Sequence, residues 1–154
     1  MNFSDNGLAR LKSLEGFRST AYKDSGGKMT IGYGHLIVPG DGTLVGDVLE
    51  EVQATGLLKQ DVQRAVDAVN AAVTVDLNQN QFDALVIFTY NVGIHAFQTS
   101  TLLKDINISA FDSAAAQFLV WNKVHTPQGM FIEVAGLTNR RLAEKSLFLV
   151  PVEA

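Results

Sequence analysis

Residues 81–92, near the middle of the chain, place the strongest limit on how it can fold. Every side chain from Ala84 to Phe88 is apolar, apolar residues continue on nearly every side as far as Val92, and Gly93 follows. A helix that is apolar all round is buried, and glycine is the usual residue just past a helix C-terminus. We therefore predict a central helix over residues 81–92, with the rest of the chain packed around it.

The composition provides enough apolar side chains to bury such a helix. The 154 residues are 47% hydrophobic and 18% charged, with a formal net charge of −4. These values suit one globular domain with a sizeable core and exclude a disordered acidic protein. Because the chain has no cysteine, a disulfide framework, a thiolate nucleophile and a Cys-ligated metal are excluded as well.

The charge distribution argues against a nucleic-acid partner. Residues 36–80 carry two Lys or Arg against seven Asp or Glu, whereas duplex binding normally needs a clustered basic face. The longest apolar run is far shorter than the roughly 20 residues that span a bilayer, and the first residues lack a signal-peptide core. We expect neither stable membrane insertion nor a membrane anchor.

A first helix is predicted over residues 4–15. Ser4 is a suitable N-cap, and Leu8, Leu11 and Glu15 recur at spacings of three and four. The apolar face and the carbonyl-rich end of the helix both disfavour a negative charge on Glu15, which suits a general acid. The alternative is an ordinary surface carboxylate at a frayed helix end.

Further helices are predicted in the rest of the chain. Residues 48–73 carry valines and leucines at helical spacing, with an interruption at Gly56 as one possibility. Residues 100–107, 109–121 and 138–149 complete a helical second half.

A β-hairpin is predicted between the first two helices. Two short segments, 20–24 and 28–34, read as strands around a three-residue loop at 25–27.

The loop length sets which hairpin side chains share a face. Asp24 then lies opposite Lys28 and Tyr22 opposite Thr30, so these four side chains project to one side. A carboxylate beside a hydroxyl, facing a protonated carboxyl, can hold a water for attack while the protonated carboxyl protonates a leaving oxygen. The alternative is that Asp24 only shapes the turn.

The spacing of Glu15, Asp24 and Thr30, with Ile31-Gly32-Tyr33-Gly34-His35 directly after, resembles the tailed-phage lysozymes, or endolysins, of glycoside hydrolase family 24. Other motifs that resemble the family follow in order over nearly the whole chain, at residues 14–17, 22–24, 81–85, 91–93, 97–103 and 136–148. Residues 122–135 depart from the glycine-rich connection expected before Gly136.

The resemblance implies hydrolysis of the β-1,4 bond between N-acetylmuramic acid and N-acetylglucosamine in peptidoglycan. Glu15 would protonate the glycosidic oxygen, Asp24 would stabilise positive charge at the anomeric carbon or orient water, and Thr30 would position the water. An inverting reaction, as the family suggests, needs the two carboxyl groups roughly 6.5–9.5 Å apart.

Six further positions are candidates for substrate binding, from the hairpin face and from the resemblance. They are Tyr22, His35, Tyr90, Asn91, Ser100 and Arg140. For His35 a structural or tuning role is favoured, and Arg140 has a surface salt bridge to Glu144 as its alternative. Tyr90 has a core position as its alternative, and Trp121 is assigned to the core.

The expected fold is α+β and mainly α, a lysozyme-like two-lobed fold with a small β-hairpin in the N-terminal lobe and a helical C-terminal lobe. We expect a single catalytic domain over residues 1–154, with lobes at about 1–55 and 74–154 and a linking helix at about 56–73. No His, Asp and Glu residues have metal-ligand spacing, so no metal or cofactor is expected.

The expected partner is the glycan strand of peptidoglycan, and the expected oligomeric state is a monomer. The resemblance implies that the protein accumulates in the host cytoplasm until a holin releases it to the periplasmic peptidoglycan. Two alternatives remain open, a lytic transglycosylase acting on the same bond and a non-catalytic cell-wall-binding module.

Overall fold

A computed structural model describes residues 1–40, 42–43 and 45–153 of the chain. The chain divides into two units. The smaller unit is Leu8–Arg64, and the larger unit joins Met1–Gly7 with Ala65–Ala154. Helices dominate and the strands form small antiparallel sheets, so the predicted α+β, mainly helical fold class is confirmed.

The first helix, α1, spans Asp5–Glu15. Ser4 is its N-cap as predicted, because its hydroxyl accepts a hydrogen bond of 3.0 Å from the backbone N–H of Gly7. Leu11 is fully buried, and Gly16 ends the helix with a positive φ of 71°. The predicted boundary at Glu15 is therefore confirmed.

The smaller unit contains a three-stranded antiparallel sheet in the order β1-β2-β3, made of Arg18–Lys23, Met29–Gly32 and His35–Leu36. Tyr22 pairs with Thr30, so the predicted hairpin register is confirmed.

The second strand was predicted to run to residue 34, which is wrong. Gly32 and Gly34 have positive φ values of 66° and 81°, a conformation that breaks a strand and suits a turn. The chain reverses through Tyr33 and returns as β3, a strand that the sequence analysis did not predict.

The next helix, α2, spans Glu51–Ala72 without an interruption at Gly56. It starts later than the predicted residue 48 because Val48 forms an isolated bridge with Thr20 of β1. The face that the sequence predicted to be apolar is buried from Leu58 onwards.

The larger unit is built on α3, Gln79–Val92, the helix from which the prediction began. Asn78 and Gln81 form a capping box at its start, and Gly93 follows its end with a φ of 100°. Residues 82–89 are all buried, so the predicted central helix is confirmed.

Shorter helices follow α3. They are α4 at Ile94–Gln98, α5 at Thr101–Asn107 and α6 at Phe111–Gln117, and a long final helix, α7, spans Ala135–Leu149. Helix α4 was not predicted. Helix α6 ends before the predicted residue 121, because the chain tightens into a 3₁₀ turn at Phe118–Val120.

A second hairpin lies between the predicted helices 109–121 and 138–149, in a half of the chain for which only helices were predicted. Strands β4, Lys123–His125, and β5, Phe131–Glu133, pair antiparallel, and Gly129 in the connecting turn has a φ of 80°. This hairpin was not predicted, and it occupies the stretch that departs from the family pattern.

Aromatic packing fills the core of the larger unit. The ring of Phe88 meets those of Phe118 and Trp121 edge to face, with centroids 5.3 and 5.8 Å apart. Trp121 therefore packs as predicted, although it is only partly buried. Among residues 1–40, 42–43 and 45–153, no helix combines the length and apolarity needed to cross a bilayer.

Candidate active site

Glu15 is the last residue of α1 and is partly buried. One carboxylate oxygen, Oε2, lies 3.4 Å from the point that a β-carbon on Gly34 would occupy. Gly34 also has a positive φ of 81°, so any other residue at position 34 would strain the backbone. The turn between β2 and β3 therefore lies against the Glu15 carboxylate.

Asp24 lies at the exposed end of β1, in the hairpin loop. Its Oδ1 atom accepts hydrogen bonds from the backbone N–H groups of Gly26, at 2.9 Å, and Lys28, at 2.8 Å. Asp24 thus shapes the turn, which was the alternative interpretation. No donor among the described residues contacts Oδ2, so half of the carboxylate is left for another partner.

Thr30 is 4% exposed and lies opposite Tyr22 in the hairpin. Its hydroxyl donates to the carbonyl of Lys28 at 3.0 Å. A hydroxyl has one proton to donate and two lone pairs. Since the proton is used, Oγ1 can interact with a water only by accepting a hydrogen bond.

Tyr22 is partly buried, and the guanidinium of Arg18 lies over its ring at 4.7 Å from the centroid. Tyr22, Asp24 and Thr30 are thus brought together on one hairpin, in the same unit as Glu15.

A carboxylate that the sequence analysis missed, Glu51, lies at the start of α2. Its Oε1 accepts from Lys12 Nζ at 2.8 Å, from the Tyr33 hydroxyl at 2.8 Å and from the Thr55 hydroxyl at 2.9 Å. These hydrogen bonds, the one from Lys12 most of all, lower the pKa of Glu51 to about 2. The pKa of Tyr33 is raised, mainly because the side chain is buried. The hydrogen bond to Glu51 and the negative charge of Glu51 raise it further.

We call Lys12, Tyr33, Glu51 and Thr55 the Glu51 cluster. It connects α1, which ends at Glu15, with the turn between β2 and β3, which lies beside Glu15. Lys12 lies one turn before Glu15 on α1, and Tyr33 directly precedes Gly34. No local pattern predicts this cluster, because its members come from three separate elements.

His35 begins β3, and its Nδ1 atom lies 2.8 Å from Oδ2 of Asp61 on α2. A structural or tuning role was predicted for His35, but Asp61 was not predicted as its partner. The helical spacing of α2 places Asp61 beside the buried Leu58 and Ala65, which was the available signal.

In the larger unit, Glu144 lies between two arginines of α7. Its Oε1 atom is 3.3 Å from Arg140 Nε and 3.2 Å from Arg141 Nη2, and its Oε2 atom is 2.9 Å from Arg141 Nε. The salt bridge proposed as the alternative for Arg140 is present, but it is buried, with Glu144 1% exposed. Burial lowers the pKa of Arg141, and the charge of Glu144 opposes this.

The remaining three candidates also lie in the larger unit. Asn91 is exposed near the end of α3, and its Oδ1 atom accepts a hydrogen bond from Arg141 Nη2. Tyr90 is partly buried. Ser100 is 3% exposed and caps α5, accepting from the N–H of Leu103 at 3.1 Å and donating to the carbonyl of Phe97 at 2.7 Å. Within the described ranges, no group of three His, Asp or Glu side chains could hold a metal ion.

The chain is similar to known proteins over most of its length. The family model described as phage lysozyme matches residues 12–144. The endolysin of Salmonella phage P22 is 40% identical over 97% of this chain and 99% of its own length.

Two solved structures are also similar. The endolysin from Escherichia coli O157:H7 phage FAHEc1 has a TM-score of 0.91 at 42% identity, covering 97% of this chain and 94% of that one. The muramidase domain of SpmX from Asticaccaulis excentricus has a TM-score of 0.89 at 38% identity, covering 97% and 99%. The matched region includes the hairpin and all nine predicted site residues, and this chain belongs to the phage lysozyme family.

Proposed function

We propose that this lysozyme is a phage endolysin that hydrolyses the β-1,4 bond between N-acetylmuramic acid and N-acetylglucosamine and so lyses the host cell. The observation that carries the proposal is the hairpin pairing of Tyr22 with Thr30, which brings Thr30 and Asp24 to one side of the sheet in the unit that holds Glu15.

Glu15 is the proposed general acid. Its carboxyl proton passes to the glycosidic oxygen, the bond between that oxygen and the anomeric carbon breaks, and positive charge develops on the sugar ring. The Glu15 carboxylate lies beside Gly34, in the turn between β2 and β3.

Asp24 and Thr30 are proposed to hold the attacking water. The water donates one hydrogen bond to Thr30 Oγ1, whose own proton is bonded to the carbonyl of Lys28. Its second proton is directed to Asp24 Oδ2, so a lone pair on the water faces the anomeric carbon. As the oxygen bonds to carbon, the proton moves to Asp24, and the two carboxyl groups then return to their starting states through solvent.

The other candidates are proposed to bind the glycan. Tyr22 and Tyr90 offer aromatic rings, Asn91 an amide and Ser100 a hydroxyl, while His35 and Arg140 offer an imidazole and a guanidinium. The bonds of Ser100 to α5 and to Phe97 indicate that it contributes by placing the start of α5.

Peptidoglycan is the substrate, as endolysins act on the cell wall. We further propose that the whole chain acts as one catalytic domain, as a monomer, and that a holin releases it from the host cytoplasm.

The test is to digest Gram-negative peptidoglycan with the protein and with Glu15→Gln, and to identify the fragments by mass spectrometry. Reducing N-acetylmuramic acid ends that are lost with Glu15→Gln are expected, with a rate at least about 100-fold lower. Glu50→Gln, the same change on an exposed residue, is the matched control and should digest normally.

Two results would contradict the proposal. Anhydro ends, lighter by one water, would identify a lytic transglycosylase. Fragments released equally well by a folded Glu15→Gln variant would remove Glu15 from the reaction.

A further inference from the structure

Arg141 is a fully buried arginine that none of the proposed catalytic steps uses. It is 0% exposed, with its guanidinium 5.1 Å from the centroid of the Phe88 ring and in contact with Glu144. The same guanidinium extends to the exposed Asn91 and donates from Nη2 to Oδ1 of the side-chain amide.

The chemistry of arginine decides which way that amide points. A guanidinium has only donors, so the atom of Asn91 that faces it must be the carbonyl oxygen. The opposite orientation would bring two N–H groups together. Among the described residues nothing accepts a hydrogen bond from Asn91 Nδ2, and the side chain is exposed.

The geometry points to Arg141 as a positioning residue that holds Asn91 with its NH₂ group outward, so that Asn91 recognises an acceptor oxygen on the glycan. The acetamido carbonyl is the acceptor that every sugar of peptidoglycan carries, and we assign it as the partner. This inference rests on the proposed role of Asn91 in substrate binding.

The test compares kcat/KM on intact peptidoglycan and on the same wall after chemical de-N-acetylation, for Asn91→Ala and Asn91→Asp. Asp keeps an oxygen for Arg141 but turns a carboxylate outward in place of the donor. We expect a loss of about three- to tenfold for Asn91→Ala on the acetylated wall. The loss for Asn91→Asp should be larger, because its carboxylate repels the carbonyl.

On the de-N-acetylated wall Asn91→Asp should have a higher kcat/KM than Asn91→Ala, because the free amines are cationic donors that suit an outward carboxylate. Asn6→Asp, the same charge change on an exposed residue of α1, controls for the added negative charge and should keep the normal ratio between the two walls.

Arg141→Lys tests the positioning role directly. Lysine keeps the charge beside Glu144 but lacks the planar fork that binds two partners at once. The preference for the acetylated wall should fall to that of Asn91→Ala while the far-ultraviolet circular dichroism stays normal. If this variant does not fold, the comparison of Asn91→Asp with Asn91→Ala still decides.

Three outcomes would overturn the inference. An Asn91→Asp variant that works normally while Asn91→Ala is impaired would mean that the acceptor end faces the glycan. Normal activity of both variants would mean that Asn91 does not bind it, and a folded Arg141→Lys variant with an unchanged preference would remove Arg141. None of these affects the Glu15→Gln result, by which the proposed reaction is judged separately.

Discussion

Two carboxylates of this protein, Glu51 and Glu144, bind similar sets of donors in opposite surroundings. The side chain of Glu51 is 53% exposed and bonds a lysine and two hydroxyls, whereas the side chain of Glu144 is 0% exposed and lies between two arginines. Solvent screens the first set of charges, so little stability depends on it. The charges of Glu144 and its two arginines are buried and have lost their hydration, so removing one of them leaves an unpaired buried charge. The number of contacts is therefore a poor guide to what a carboxylate contributes.

The largest effect is expected from Glu144→Ala. This change leaves the buried guanidinium of Arg141 without its carboxylate, and we expect the free energy of unfolding to fall by about 3–5 kcal/mol. Urea denaturation followed by circular dichroism measures it. Glu133→Ala, on an exposed residue of β5, should change stability by no more than about 0.5 kcal/mol. Equal effects of the two changes would contradict the conclusion that burial makes the Glu144 carboxylate important for stability.

A smaller effect is expected from Tyr33→Phe. The ring is 8% exposed and packs on Phe17 with centroids 5.5 Å apart, so phenylalanine keeps the packing and removes only the hydrogen bond to Glu51. We expect a loss of about 1 kcal/mol, measured by the same denaturation. A loss as large as that of Glu144→Ala would show that Glu51 behaves as a buried group.

The smallest effect is expected from Glu51→Gln, as a fall in melting temperature that disappears in 1 M salt. The pKa of Glu51 in the folded protein, about 2, lies below the ordinary value of 4.5 for a glutamate, so the ionised carboxylate stabilises the fold above pH 4.5. This contribution is lost as the pH falls from about 4.5 towards 2, and the melting curves of the two proteins should converge there. A difference that persists at pH 2 or in 1 M salt would contradict this account.

Sequence periodicity predicted the features of this molecule that depend on neighbouring residues. Strand alternation and loop length were enough for the pairing of Tyr22 with Thr30, and apolar content was enough for the central helix. The reversal at Gly32 to Gly34 was missed because glycine is compatible with both a strand and a turn.

Long-range contacts were beyond the reach of that reasoning. The spacing of Arg140 and Glu144 predicts their salt bridge, but its burial depends on how α7 packs in the core. Likewise Glu51 and Asp61 read as surface carboxylates of α2 until the sheet is placed against that helix. Patterns along the chain locate the candidate site but do not identify the side chains that support it.

The turn formed by Asp24 has a consequence for evolution. Its Oδ1 atom caps the N–H groups of Gly26 and Lys28, and an asparagine oxygen can accept the same two bonds. One nucleotide change, Asp to Asn, would therefore remove the negative charge while the hairpin keeps its shape. A gene of this kind is one mutation away from encoding a folded protein without that charge, so descendants that retain the fold need not retain the reaction.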